Sequence, residues 1–167
     1  MERSSAAVSP FSPWDDEYVR TPDTYLWGTG ASPLARDLAA LVRPGGRVLD
    51  LGCGEGRDSV FFAAQGFEVT GLEASSAGLD KARRLAAERG VDVRWIECAL
   101  PDLSVLAPFD LVYSCGSIHY VASPDRPSPS CALVTHPPRP GGQAAIMDER
   151  YEPKTIDVAK DKGVTIT

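Results

Sequence analysis

Two spacings of apolar residues take turns along the middle of the chain. Arg47 to Leu51 is a short apolar run of the kind a buried strand makes, and Arg57 to Gln65 switches to helical spacing. Val60, Phe61 and Ala64 are expected to face inward on that helix, and Gly66 to stop it. Phe67 to Glu73 predicts a second strand. Ser75 to Arg89 predicts a helix with Leu79, Ala82, Leu85 and Ala86 on one side, ended by Gly90. Val91 to Glu97 and Phe109 to Ser114 predict a third and fourth strand, and Gln143 to Met147 a fifth. Upstream, Ser32-Pro33 gives an N-cap and a first helical residue, with Leu34, Leu38 and Leu41 on one face and Pro44-Gly45-Gly46 as the stop. Strands alternating with helices at this spacing imply βαβ units, hence a parallel sheet with helices on both faces.

The ends read differently. Residues 1–13 are rich in Ser, Ala and Pro and predict a loose tail. Trp14 to Gly28 interleaves aromatics with acids, which predicts a short helix and an ordered loop. Between 124 and 140 stand six prolines, at 124, 127, 129, 137, 138 and 140, which oppose a long helix. After Met147 only 20 residues remain: a polar stretch, EPKTIDVAKDKG, and a closing strand, VTIT. The organisation is thus one domain, 14–167, behind a tail. It comprises a lid and helix at 14–46, a core at 47–121 and a divergent part at 122–167.

Composition narrows the partners. A chain of 167 residues is of one-domain size, and 43% apolar with 24% charged residues is globular usage. The net charge of −6 and pI near 4.9 argue against nucleic acid or an anionic membrane as partner. Cys53, Cys98, Cys115 and Cys131 form no CxxC or Cys/His metal spacing, so they read as reduced thiols, with no metal, in a cytoplasmic protein. No run has signal-peptide character or membrane-spanning length.

The chemistry concentrates in VLDLGCGEGRD, from Val48 to Asp58. In an open parallel sheet, ligands bind beyond the carboxyl ends of the strands, where this turn falls. Gly52, Gly54 and Gly56 do not follow the dinucleotide rhythm G-x-G-x-x-G, since position 57 is Arg, and the Walker loop is absent. Asp50, just before the turn, repels a pyrophosphate but suits a ligand that carries an ammonium group. A ligand with an amino acid at one end and a nucleoside at the other meets these demands.

At this point the sequence resembles the class I S-adenosylmethionine-dependent methyltransferases, on LDLGCGEGRDS followed by Glu73 at the second strand's end. The resemblance implies an α/β, Rossmann-like three-layer sandwich with a mostly parallel sheet, its C-terminal strands incomplete or divergent here. It implies S-adenosyl-L-methionine as cofactor, with Asp50 on the ammonium and Gly52, Cys53, Gly54 and Gly56 letting the backbone approach. Glu73, with Ala74, would take the ribose hydroxyls. Glu97-Cys98-Ala99-Leu100 occupies the adenine position, where the family's Asp is replaced by Ala99, leaving Cys98 and Leu100 to hold the ring. Phe109 to Val121 resembles the fourth-strand motif, placing Ser114 and Cys115 by the cofactor, Ser117 and Tyr120 by the substrate, and His119 as general base. Trp14, Tyr18, Tyr25 and Trp27 resemble the lead-in of small-molecule members of the tellurite-resistance and thiopurine type. There aromatics close over cofactor and substrate, so Trp14, Tyr18 and Trp27 are expected at the acceptor. The implied reaction is methyl transfer to a small molecule. The alternative is a cofactor-binding domain, non-catalytic or impaired, that needs a partner or has lost its substrate half. Monomer and homodimer both stay open.

Overall fold

A computed structural model of the protein describes residues 14–98, 109–115, 143–147 and 153–157. Its elements run α1 (Asp15–Arg20), α2 (Pro33–Ala39), β1 (Arg47–Leu51), α3 (Arg57–Ala64), β2 (Glu68–Glu73) and α4 (Ser76–Arg89). They continue with β3 (Arg94–Glu97), β4 (Leu111–Cys115), β5 (Gln143–Met147) and β6 (Pro153–Asp157). These strands form one sheet in the order β3-β2-β1-β4-β5-β6. The first five are parallel, and β6 runs antiparallel to β5, with Met147 opposite Pro153. The strand that closes the sheet therefore lies inside the stretch read as polar, and VTIT lies outside the described residues. Proline at the first position of an outer strand removes no inner ladder bond.

The Ser32 hydroxyl accepts from the Ala35 N–H at 3.1 Å, and Pro33 opens α2, as expected. Ser75 caps α4 by accepting from the Gly78 N–H, and Gly90 ends the helix in the left-handed region at φ 64°. Both ends satisfy backbone groups that the helix itself leaves open.

β1 is buried on both faces, which parallel strands require. Val48 packs with Leu34, Leu38, Phe62, Phe67, Leu111 and Tyr113 under α2 and α3. Phe62 is the pivot, its ring edge-on to both Phe67 and Tyr113. This corrects the expected face of α3: Phe62 points inward, Phe61 is half-buried and Ala64 is exposed. The helix is turned because Asp58 and Ser59 are buried beside the strand ends. Leu41, expected in line with Leu38, falls beyond the helix and is 59% exposed.

Right-handed crossovers place α3 and α4 on the same face of the sheet, where Val60 of α3 meets Leu85 and Ala86 of α4. Tail 1–13 and the proline-rich 124–140 lie outside the described residues. Among the described residues no helix is long and apolar enough to cross a membrane.

Gly56, the third glycine of the turn, is fixed by packing. Its φ is +82°, and a Cβ there would stand 2.6 Å from Ala82 Cβ and 3.0 Å from Trp95 Cη2. Gly56→Ala is expected to cost at least about 2 kcal/mol, from the left-handed backbone plus the clash with α4. Equilibrium denaturation in urea reads it, and a wild-type midpoint would show that α4 yields freely.

Candidate functional site

Since β1 to β4 are parallel, their carboxyl ends share one side of the sheet, with Asp50 in register with Gly71 and Tyr113, and Glu73 with Glu97. Four acids converge there: Asp50, Glu55, Asp58 and Glu73. Asp50, Glu55 and Asp58 are buried, and Glu73 is half-buried. A desolvated carboxylate must find charge or hydrogen-bond partners, and each of the four finds different ones.

Glu73 takes backbone donors. Its Oε2 accepts from the Gly54 N–H at 3.0 Å and its Oε1 from the Ser75 N–H at 2.9 Å. Burial raises its pKa, and those backbone N–H groups oppose the rise. A carboxylate has about four acceptor positions, so these bonds leave room for a ribose hydroxyl.

Asp58 takes a network. Its Oδ1 accepts from the Ser32 N–H at 2.7 Å and its Oδ2 from the Tyr113 hydroxyl at 2.6 Å, with the Arg57 guanidinium against both oxygens. Tyr113 and Ser32 are themselves in hydrogen-bond contact at 2.9 Å. Burial and the neighbouring Asp58 push the Tyr113 phenol well above its usual range, so it remains a donor. Arg57 also donates to the Trp27 carbonyl at 3.2 Å.

Glu55 takes a cation. Its Oε1 lies 2.6 Å from Lys81 Nζ, and the two side chains are 1% and 2% exposed. It also accepts from the Leu26 and Trp27 N–H groups, at 3.2 and 3.3 Å.

Asp50 is the least provided for. Among the described residues its carboxylate receives one hydrogen bond, from the Ser59 hydroxyl at 2.6 Å. Burial, and then the nearby Asp58, push its pKa up to about 7. An ammonium group beside it would restore the ionised form, so this donor set fits a ligand with a cationic amino-acid end.

The other expected residues fall around this cluster. Gly52 and Gly54 hold the left-handed turn at φ 66° and 55°. The face of Gly54 where a Cβ would stand is taken by Tyr18, whose hydroxyl oxygen would be 2.8 Å from it. That ring also covers Gly78 and is 4% exposed, so Tyr18 is packed on the turn itself. Trp14 and Trp27 stand further out, edge to face at 5.3 Å, with Trp27 52% exposed. Cys53 is in the turn, Ala74 follows Glu73 and Cys98 follows β3, all half-buried. Ser114 and Cys115 end β4, and Cys53, Cys98 and Cys115 are not in disulfides. Ala99, Leu100, Ser117, His119 and Tyr120 lie outside the described residues. Sequence reasoning missed Ser32, Glu55, Asp58, Lys81 and Tyr113 as members of this cluster. The one usable signal was a charged Glu set between two glycines of a tight turn.

Comparison with known proteins agrees with this geometry. A model of the family described as "Methyltransferase domain" matches residues 48–142. The chain is 36% identical over 151 residues to a trans-aconitate 2-methyltransferase of Deinococcus radiodurans, covering 87% of this chain and 54% of that protein. It is 32% identical to a ubiquinone biosynthesis O-methyltransferase of Caulobacter vibrioides, covering 68% and 44%. A TehB-like SAM-dependent methyltransferase from Corynebacterium glutamicum superposes with a TM-score of 0.59 at 28% identity, covering 67% and 59%. The chain spans about half the length of the curated relatives it matches. With the family match across more than half of its residues and the acid–glycine turn at the strand ends, the chain belongs to the S-adenosylmethionine-dependent methyltransferase family.

Proposed function

We propose that this chain binds S-adenosyl-L-methionine across the glycine turn and transfers its methyl group to a small-molecule acceptor, leaving S-adenosylhomocysteine. The observation that carries the reading is Asp50, a buried carboxyl at a strand end with a single hydroxyl partner among the described residues. A group that costs so much to desolvate makes sense where a cationic ligand completes it.

The roles follow from position. Asp50 takes the ammonium of the methionine end, and the turn at Gly52, Cys53 and Gly54 brings backbone close to it. Glu73, next to Ala74, receives the ribose hydroxyls, and Cys98 borders the adenine. Ser114 and Cys115, at the end of β4, flank the methionine end on the acceptor side. When bound, the cofactor supplies an electrophilic sulfonium methyl. The protein supplies proximity, which accounts for most of the rate when the acceptor atom is itself nucleophilic. Trp14 and Trp27 form the aromatic rim through which an acceptor passes, and His119, with Ser117 and Tyr120, is the proposed base and substrate contact. A small acceptor is supported by the relative whose name gives trans-aconitate as its substrate.

Asp50→Asn separates binding from stability. The folded pKa, about 7, lies above the ordinary 3.8, so folding favours the protonated acid, and the wild type loses stability as pH rises between those values. The amide keeps an acceptor for Ser59 without the charge. At pH 8 the variant should melt about 2–8 °C higher than wild type, with the gain fading toward pH 5. Its affinity for S-adenosylhomocysteine should fall by about ten-fold or more, at ~1.4 kcal/mol per decade. Wild-type affinity should weaken as pH drops below 7, and the variant's should not. Thermal melts and calorimetric titration across pH 5–8 decide it, and a variant that binds like wild type removes Asp50 from the site.

Glu73→Ala tests the ribose end. It is expected to weaken S-adenosylhomocysteine by about ten-fold or more in the same titration, with NAD as a ligand that binds neither protein. Tight NAD binding by the wild type would overturn the cofactor assignment.

A further inference from the structure

The Glu55–Lys81 pair lies under the lead-in, between the glycine turn and α4, and its hydrogen bonds go to one place. Lys81 Nζ has three protons and three acceptors: Glu55 Oε1 at 2.6 Å, the Thr24 carbonyl at 2.8 Å and the Thr21 hydroxyl at 3.0 Å. Glu55 receives, besides the ammonium, the N–H groups of Leu26 and Trp27. Of the five bonds, four run to residues 21–27. A pair that only stabilised the core would be better replaced by apolar residues, since burying two charges costs about what their attraction returns. This pair instead fixes where a surface loop sits. It seats Tyr18, whose ring is 5.4 Å from Lys81 Nζ, on Gly54 and Gly78. It also holds the backbone of Trp27, whose ring leans on Trp14.

We infer that Glu55 and Lys81 are positioning residues, a buried latch that fastens segment 14–29 over the glycine turn and so governs how fast a ligand leaves it. Glu55 is itself part of the turn, between Gly54 and Gly56, so lid and turn share one anchor. The ligand part of the inference rests on the cofactor reading above, whereas the fastening part stands on the geometry alone. Other ties reinforce it: the Tyr25 hydroxyl reaches the Lys81 carbonyl at 3.2 Å, Arg84 the Pro22 carbonyl at 2.5 Å, and Ser75 Oγ reaches Asp15 at 2.5 Å. None of them is buried as the ion pair is.

The test is the double variant Glu55→Met with Lys81→Met, which removes both charges at similar volume. Hydrogen exchange read by mass spectrometry should show segment 14–29 exchanging about ten-fold faster or more, while β1 and β2 keep wild-type protection. In stopped-flow displacement, S-adenosylhomocysteine should leave the variant about ten-fold faster or more. If the double variant does not fold, Glu55→Gln alone, which keeps the side chain's size, carries the same two measurements. Wild-type exchange in segment 14–29 overturns the latch, and so does an acceleration shared equally by the sheet, which would mark a pair that serves the whole fold. Unchanged ligand dissociation beside a loosened segment overturns its control of ligand release. A wild type that binds no S-adenosylhomocysteine sinks the cofactor reading instead, and the exchange data still decide the fastening.

Discussion

Four carboxylates at one end of a parallel sheet set the terms for the rest of this molecule. A chain with a net charge of −6 brings Asp50, Glu55, Asp58 and Glu73 around a single turn, where water is largely excluded. Each must be met from somewhere, and the way each is met recruits a different part of the chain. Glu73 draws on the backbone of the turn and the start of α4, which shapes the turn. Asp58 draws on Ser32 and Tyr113, which ties α2 and α3 to β4. Glu55 draws on Lys81 and the lead-in. Asp50, among the described residues, draws on one hydroxyl. Among the described residues three of them find full partners, whereas burial holds the pKa of Asp50 up to about 7, which is the sign of a site kept ready for a charge from outside.

The element order was legible because strand and helix spacings are properties of apolar residues, and apolar residues form this core. β1 and β5 fall on their expected residues, and Ser32, Ser75 and Gly90 cap as their types require. The misreading of α3 has one cause, which is polar residues that are buried. On α3 the pattern favoured Phe61 and Ala64, because counting apolar spacing assigns Asp58 and Ser59 to water. Both in fact face the strand ends, and the helix rotates to bring Phe62 under the sheet. β6 was missed for a different reason: Pro153–Asp157 stands at the end of the strand order, and outer strands need not be apolar.

Of the site itself, the acid, the turn and the second acid were visible, since their residue types carry the chemistry directly. Their partners were not. Lys81 stands in a helix between Asp80 and Ala82, and nothing local says that its head group is sealed beneath Tyr18 and Thr21. Long charged side chains are expected to reach solvent, and only the arrival of the lead-in from some sixty positions away turns Lys81 inward. The resemblance of the lead-in to small-molecule methyltransferases puts Tyr18 at the acceptor. Its burial on Gly54 makes it part of the turn's wall.

The glycine rhythm can then be divided by cause. At Gly54 the absent side chain admits Tyr18, and at Gly56 it admits Ala82 and Trp95. At Gly71, on the neighbouring strand, a Cβ would again collide with Trp95, 2.7 Å from its ring, and with Cys53. The turn is therefore held closely by the lead-in on one side and by α4 and β3 on the other, before any ligand arrives. A turn packed in that way has little freedom to adapt to what it binds, so its geometry is set in advance by the fold. The same closeness means that a change in the lead-in is felt at the turn through Glu55 and Tyr18. For this chain, cofactor geometry and lid position are one structural property rather than two.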